Sequence, residues 1–451
     1  MTSSDHRFDL RQTRPVAATR SAVAWVLKYG LTGLALRVGA RQGDLLARSV
    51  VDPARRADPF PTYDEIRARG PLLPGRFVMG TASHAAANDI LRGDRFLAAP
   101  AAAPAKSLDK LLDLVTDPRA LGPVDPPSLL AISAPEHTRI RKLVAYAFTP
   151  RAITALTGRV QELADELLGK IAAENTVDLI EAYASLLPVT VIAEILGVPE
   201  ELRRPFVELV NEAALSLEPG LSYRDYRRAT EAVRNGHRFL DEHIARLRRK
   251  PGDDLLSRMI EAADGSDKLT DTELRVTALL VLGAGFETTV NLIGNAVTLL
   301  LDHPGQLDRL KAEPDGWANA VEEVLRYDSP VQVTLRVSKA DTDVLGVPVR
   351  EGQAVVVMLG GANRDPDVFA EPNRFDTTRA NAREHLAFSA GPHFCLGAQL
   401  ARLEGATALR TLFERFPDLA LDGTPTRRGT RVLRGYRRLP VRVGGTPKSV
   451  S

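Results

Sequence analysis

Apolar residues recur three or four positions apart through most of the middle of the chain. Residues 155–174, 186–197, 201–217 and 223–250 each carry this spacing, which lines up the apolar side chains of a helix on one face. Short runs rich in apolar and β-branched residues read as strands: a first at 75–80, then 334–339, 342–349 and 354–360, and a final pair at 431–435 and 439–443. No internal repeat is visible. The pattern predicts a mainly α fold with a minor β region late in the chain.

Residues 276–300 break the amphipathic rule by being apolar almost throughout. They are long enough to cross a membrane, but Glu287 lies near their middle, where an isolated carboxylate costs about 2.5–3.5 kcal/mol. A single apolar helix through the centre of a large soluble fold is the better reading. Gly283 and Gly285 each weaken a helix interior by about 0.5–1 kcal/mol relative to alanine, so something is expected to need room there. Beside them stand Glu287, Thr288 and Thr289, a carboxylate and two hydroxyls expected to loosen the helical hydrogen bonding and hold water. The alternative is a buried helix with tolerated glycines and a surface-facing glutamate.

Residues 1–50 read as an N-terminal extension, partly flexible, followed by a single domain over 51–445 and a short tail at 446–451. The stretch 22–39 is apolar but interrupted by Lys28, Gly30, Gly33 and Arg37, which favours a helix on the domain surface over a membrane anchor. The first twenty residues carry both charge signs and no apolar core, unlike a secretory signal. Alanine and proline dominate residues 97–135, around a short helix candidate at 108–115, a composition that suits a lid or binding loop.

Composition narrows the class. A hydrophobic fraction of 44% with 26% charged residues is that of a soluble globular protein. A formal charge of +2 with interspersed signs argues against nucleic-acid binding. The lone cysteine excludes an internal disulfide framework and a cysteine-based zinc cluster, and leaves a ligand, a nucleophile or a buried filler, all suited to a reducing cytoplasm. That cysteine, Cys395, lies in "AFSAGPHFCLGAQLAR" just before a predicted helix, bracketed by Gly391 and Gly397. Glycines there let the backbone turn tightly and approach something large.

The loop resembles the cysteine signature of the cytochrome P-450 family, of the soluble bacterial type, with Phe388, Gly391, His393, Cys395 and Gly397 all in place. "AGFET" at 284–288 resembles the family's oxygen-binding groove, "EEVLRYDSP" supplies the E-x-x-R pair Glu323 and Arg326, and Arg374 matches the position that completes their buried ion network. "APEHTRIRKLV" at 134–144 is similar to the propionate-binding helix. Ser133 and Ala134 depart there from the aspartate and proline common in relatives.

The resemblance implies a P-450 fold, a triangular helical prism with haem b between the long helix and the cysteine-loop helix. Cys395 would be the proximal iron ligand, a thiolate favouring O–O cleavage. His137, Arg141, Arg336 and His393 would hold the propionates, with Ala284, Phe388, Gly391 and Gly397 shaping the haem site. Glu287 and Thr288 would be the catalytic acid and alcohol that bring protons to the oxygen site. Leu280, Ala284, Val331, Gln332 and Thr334 would meet a medium or large hydrophobic substrate, under the 98–130 lid and the 216–223 connection.

No flavin or iron–sulfur motif accompanies these residues, so electrons from NAD(P)H are expected through an external ferredoxin and its reductase, docking near Arg139, Lys142 and Arg402. His84, His237, His243 and His303 read as surface residues. A cytoplasmic, monomeric monooxygenase of hydroxylation or epoxidation, serving secondary metabolism, is the resulting expectation. The alternatives are a catabolic steroid, terpenoid or fatty-acid hydroxylase, and a haem-binding sensor or carrier without turnover.

Overall fold

The computed structural model describes residues 19–98, 115–200, 203, 209, 211–264 and 269–444. Most of the helix candidate at 108–115, the adjoining part of the lid and much of 201–210 lie outside these residues.

The helix Asp271–Asp302 runs through the middle of the molecule. It starts at a capping box: Thr270 Oγ1 accepts from the Glu273 N–H and Glu273 Oε2 accepts from the Thr270 N–H, which satisfies donors that the first turn leaves free. Leu274, Ala278, Val290, Ile293, Ala296, Val297 and Leu300 have no exposed surface. Helices Thr157–Ile171, Leu186–Ile195, Tyr223–Arg249, Trp317–Tyr327 and Ala398–Arg415 form the layers around it. Among the described residues it is the helix apolar enough to cross a membrane, and 72% of its most apolar window is buried inside the protein. A helix surrounded on every side has no polar face to keep.

The expected loosening near Glu287 does not occur. The α-helix is continuous from Asp271 to Asp302, and the hydroxyls of Thr288 and Thr289 donate back to the carbonyls of Ala284 and Gly285 at 3.0 and 3.4 Å. Packing on all sides outweighs this local competition.

A five-stranded sheet has the order Leu73–Pro74, Met79–Thr81, Ala354–Val357, Thr334–Ser338, Phe96–Ala98, with one parallel pair, Met79–Thr81 on Ala354–Val357. Thr334 faces Val357 and Arg336 faces Val355. The pleat sends Arg336 and Ser338 to the buried side. The 342–349 stretch is a tight hairpin turning at Leu345 and Gly346, both at positive φ. The 431–435 candidate is not a strand: it contributes only an isolated bridge, Val331 to Leu433, and the C-terminal hairpin pairs Thr426–Arg427 with Tyr436–Arg438.

The extension packs against the body. Trp25 Nε1 donates to the Leu221 carbonyl at 2.8 Å, Tyr29 OH to the Ser216 carbonyl at 3.0 Å, and Lys28 pairs with Asp125 at 2.6 Å. Gly33 lies directly on Gly220, which is at φ +70°; a Cβ on Gly220 would stand 3.2 Å from Gly33 Cα. His237 and His243 are not surface residues. Both are buried, their Nε2 atoms bonded to the Leu121 and Leu196 carbonyls, and burial lowers both pKa values. The amphipathic helix carrying them turns its polar positions inward where a loop carbonyl needs a partner.

Candidate haem-thiolate site

The cysteine loop is shaped by a close crossing. Gly391 has φ +66°, and a Cβ there would overlap the Leu91 carbonyl oxygen and Arg92, so only glycine fits. The loop then closes on itself: the Cys395 N–H donates to the Phe388 carbonyl at 2.9 Å and the Phe394 N–H to the Gly391 carbonyl at 3.0 Å. Helix Ala398–Arg415 starts three residues beyond the cysteine, with its positive end toward the sulfur. The Cys395 thiol keeps free surface although protein atoms surround it. Burial pushes its pKa up, and the Gly397 N–H, Arg141 and Arg402 work against that rise.

Basic groups gather beside this loop, with no carboxylate among them in the described residues. The His137 and His393 rings lie 4.2 Å apart, and Arg141 Nη2 donates to the Phe394 carbonyl at 2.7 Å. Arg336, 6% exposed, donates only to neutral atoms among the described residues: Thr334 Oγ1 and the Leu335 carbonyl at 2.9 Å each, and Ser389 Oγ at 3.5 Å. Burial alone lowers Arg336 to about 10. Burial, then Arg336, His137 and Arg141, drive His393 down to about 3. Buried cations lacking a counter-charge are costly. Two carboxylates of a ligand held between Arg336 and the His137–His393 pair would remove that cost, and this is the charge haem propionates carry. The residues present fit the group. Ser133, where the sequence departs from relatives, accepts from the Ala98 N–H at 3.2 Å and helix Glu136–Ala145 follows normally.

On the central helix, burial is interrupted at one place. Ala284 is exposed, and Gly283, Gly285 and Thr288 are half-buried. Gly285 makes room for Ile192, whose side chain would lie 3.1 Å from a Cβ at that position. Glu287 points away from solvent: it is 3% exposed, and its Oε1 pairs with Arg428 Nη1 at 2.7 Å. Burial raises its pKa and Arg428 opposes the rise. Nothing in the spacing of the sequence points to Arg428, which comes from the C-terminal hairpin.

Glu323 and Arg326 have no exposed surface and bond through two contacts of 2.6 and 2.8 Å. Arg374 does not complete their network as expected. Its side chain is 59% exposed, paired with Glu371 and Asp376, and only its carbonyl reaches Arg326, at 3.1 Å. Arg379 takes the inner place, 3.2 Å from Glu323. The turn at 371–374 directs the Arg374 backbone inward and its side chain outward.

Gln332 is likewise spent on the protein. Its Oε1 accepts from Tyr63 OH at 3.0 Å and its Nε2 donates to the Ser329 carbonyl at 2.7 Å, and at 1% exposed it is turned into the protein. Thr334 Oγ1 accepts from Arg336, while Leu280 is 7% exposed and Val331 half-buried. Of the three cations expected to receive a ferredoxin, only Lys142 is an exposed residue without an ion pair among the described residues. Arg139 pairs with Glu273. Arg402 pairs with buried Glu322 at 2.8 Å and lies over the Phe388 ring, 4.7 Å from its centroid. Glu322, beside Glu323 in the same motif, also accepts from His385 Nε2 at 3.0 Å. Burial raises its pKa, but His385 and Arg402 hold it down at about 2. This second triad braces the cysteine loop from behind; the doubled glutamate in "EEVLRY" was its one visible trace in the sequence.

The family model for cytochrome P-450 matches residues 125–427. A cytochrome P-450 140 of Mycobacterium tuberculosis (strain ATCC 25618 / H37Rv) is 46% identical over 431 residues, covering 95% of this chain and 98% of that protein. The 6-deoxyerythronolide B hydroxylase of Saccharopolyspora erythraea is 39% identical over 411 residues, covering 86% of this chain and 96% of its own. The solved structure of P-450 BioI with a hexadec-9Z-enoic acid ligated acyl carrier protein superimposes with a TM-score of 0.80 at 34% identity, covering 87% of this chain and all of that one. A thiol on a glycine-pinned loop, a basic cluster awaiting two carboxylates and a match along most of the sequence agree: the chain belongs to the cytochrome P-450 family, as a haem-dependent monooxygenase.

Proposed function

We propose that this monooxygenase inserts one oxygen atom of O2 into a medium-to-large hydrophobic small molecule of secondary metabolism, with electrons from an external ferredoxin. Haem supplies the redox chemistry that splits O2. Cys395 would hold its iron, His137, Arg141, Arg336 and His393 its propionates, and Phe388, Gly391 and Gly397 the loop around the sulfur. The relative that acts as 6-deoxyerythronolide B hydroxylase and the one seen with a fatty acyl carrier support a hydrophobic substrate. Leu280, Ala284 and Val331 would present apolar surface to it, with Thr334 held to Arg336 at the edge. Lys142 remains the exposed cation for a ferredoxin on the cysteine side. A cytoplasmic location follows from such partners.

One observation carries the reading of turnover over that of a sensor or carrier. Thr288 keeps partly free surface beside Ala284, while the adjoining Glu287 is a buried carboxyl able to exchange a proton. A carrier has no use for that pair. Thr288 would hold the proton at the oxygen site through its hydroxyl, and Glu287 would resupply it. The test is oxygen-dependent product formation with a surrogate ferredoxin and reductase, using compounds that shift the ferric iron from low to high spin in a screen of fatty acids, steroids and macrolactones. Spin shifts without any oxygenated product would leave the carrier reading standing.

A further inference from the structure

A connection between two helices is as a rule held by few contacts and opens easily. The 216–223 connection is instead held at Ser216, Glu218, Gly220 and Leu221. From the outside the N-terminal extension reaches it. Tyr29 OH donates to the Ser216 carbonyl at 3.0 Å and Trp25 Nε1 to the Leu221 carbonyl at 2.8 Å. Between these two bonds Gly33 lies on Gly220, so close that a Cβ on either glycine would press on the Cα of the other, at 3.2 and 3.4 Å. The aromatic rings carry the contact into the next helix, with Trp25 5.5 Å from Tyr223 and Tyr29 5.7 Å from Tyr226. Lys28, beside Tyr29, pairs with Asp125 at 2.6 Å and adds the 115–125 segment to the same corner.

From the inside the connection is tied by Glu218. Its two carboxyl oxygens accept from the N–H groups of Arg431 and Val432, at 2.7 and 2.9 Å. That turn lies on the segment that carries Val331: the Gln332 N–H donates to the Val432 carbonyl and the Arg434 N–H to the Pro330 carbonyl, at 2.8 Å each, and Val331 bridges Leu433. Arg431, 5% exposed, fixes the turn a second time by donating to Tyr63 OH at 2.8 Å. A carboxylate on backbone N–H groups makes bonds about twice as strong as neutral ones. The connection and the Val331 segment therefore move as one body, and the extension braces it from outside.

We propose that the N-terminal extension and Glu218 form a clasp that keeps the 216–223 connection shut against the Val331 wall, with Glu218 as a specificity-determining residue that limits the girth of what reaches the haem site. This rests on the placing of substrate beside Val331 and adds to it what sets the size limit. For a bulky molecule to pass under the connection, Glu218 must leave both N–H groups, and Tyr29 and Trp25 must leave their carbonyls. A slim molecule requires none of these bonds to break.

The test uses the full-length, haem-loaded protein and two azole probes, imidazole and clotrimazole, which differ in bulk and both shift the Soret band when a ring nitrogen meets the haem iron. Glu218→Ala opens the inner tie. The double variant Trp25→Phe with Tyr29→Phe removes the two outer donors and keeps aromatic rings in place. In stopped flow each variant should take up clotrimazole about tenfold faster than wild type, the equivalent of one or two hydrogen bonds, with the imidazole rate and the ferrous carbonyl band unchanged. Clotrimazole rates equal to wild type in both variants overturn the clasp. An equal rise for both probes overturns it too, since general loosening of the fold would give that result.

Hydrogen exchange on the unaltered protein decides independently of the variants. The Arg431 and Val432 amides should exchange as slowly as those within helix Tyr223–Arg249, and exchange as fast as that of the chain ends would mean that the tie is open in solution and sinks the proposal. An unaltered protein whose Soret band neither azole shifts would count against the haem site instead, and the exchange measurement would still decide the clasp.

Discussion

Glu323 and Glu287 are both buried carboxylates bonded to an arginine, at 2.6 and 2.7 Å, yet their surroundings differ in kind. Around Glu323 the hydrogen bonding is saturated. All five N–H donors of Arg326 are used, on Glu323 and on the carbonyls of Asn363, Pro372 and Arg374, while Glu323 also accepts from the Asp376 N–H and Arg379. Around Glu287 the bonding is open: one carboxyl oxygen and the Arg428 Nε have no partner among the described residues. A closed network rigidifies what lies over it, and an open one admits water and exchange. The first pair is therefore suited to holding the cysteine side in shape, and the second, under the proposed function, would change its protonation.

The largest effect should come from opening the closed pair. Glu323→Ala strands Arg326 as a buried, unpaired cation, and chemical denaturation should show a loss of about 3–5 kcal/mol together with poor haem retention. A loss below about 1 kcal/mol would mean the two pairs are alike after all. Glu287→Gln should do the reverse, keeping fold and haem spectrum but cutting NADPH-driven turnover by about 100-fold. Thr288→Ala should keep haem and substrate binding while diverting reducing equivalents to peroxide; product formed per NADPH equal to wild type would remove its assigned role.

A third buried carboxyl sharpens the comparison. Glu404, on the cysteine helix, is 1% exposed, and among the described residues neither of its oxygens has a cationic partner. Burial, slightly offset by Thr289, raises it to about 8. Its folded pKa lies above the unfolded value of about 4.3, so its stabilising contribution is complete below that pH and is lost as the pH climbs to about 8. Glu404→Gln should therefore gain stability over wild type across that window, on the order of 2 kcal/mol at its upper end, read from unfolding at pH 4.5, 6 and 8. A constant difference between the two proteins would show that Glu404 does not titrate there. The smallest effect belongs to Arg374→Ala: an exposed pair is worth about 0–1 kcal/mol, so denaturation should barely register it, whereas Arg379→Ala should cost clearly more.

Much of the site was legible in the sequence because its groups are local. Phe388 to Gly397 form one loop, His137 and Arg141 stand one turn apart, and Glu323 and Arg326 share a helix face; fixed spacing on a single element survives any packing. Arg374 and Gln332 show where such reading ends. Each stands at the right place in the chain, but one side chain turns out to solvent and the other is consumed by Tyr63 and Ser329. A one-residue pleat or turn decides such orientation, and no pattern along the chain records it.

The sequence by itself determined the helical class, the buried central helix and the identity of the sulfur loop, since periodicity and a glycine-pinned turn are properties of short segments. Only the tertiary structure brought Arg428 to Glu287, put Arg379 in place of Arg374, and set Arg402 and His385 behind Phe388. The physical reason is that a buried charge is governed by whatever surrounds it in space, and those neighbours come from other elements of the chain.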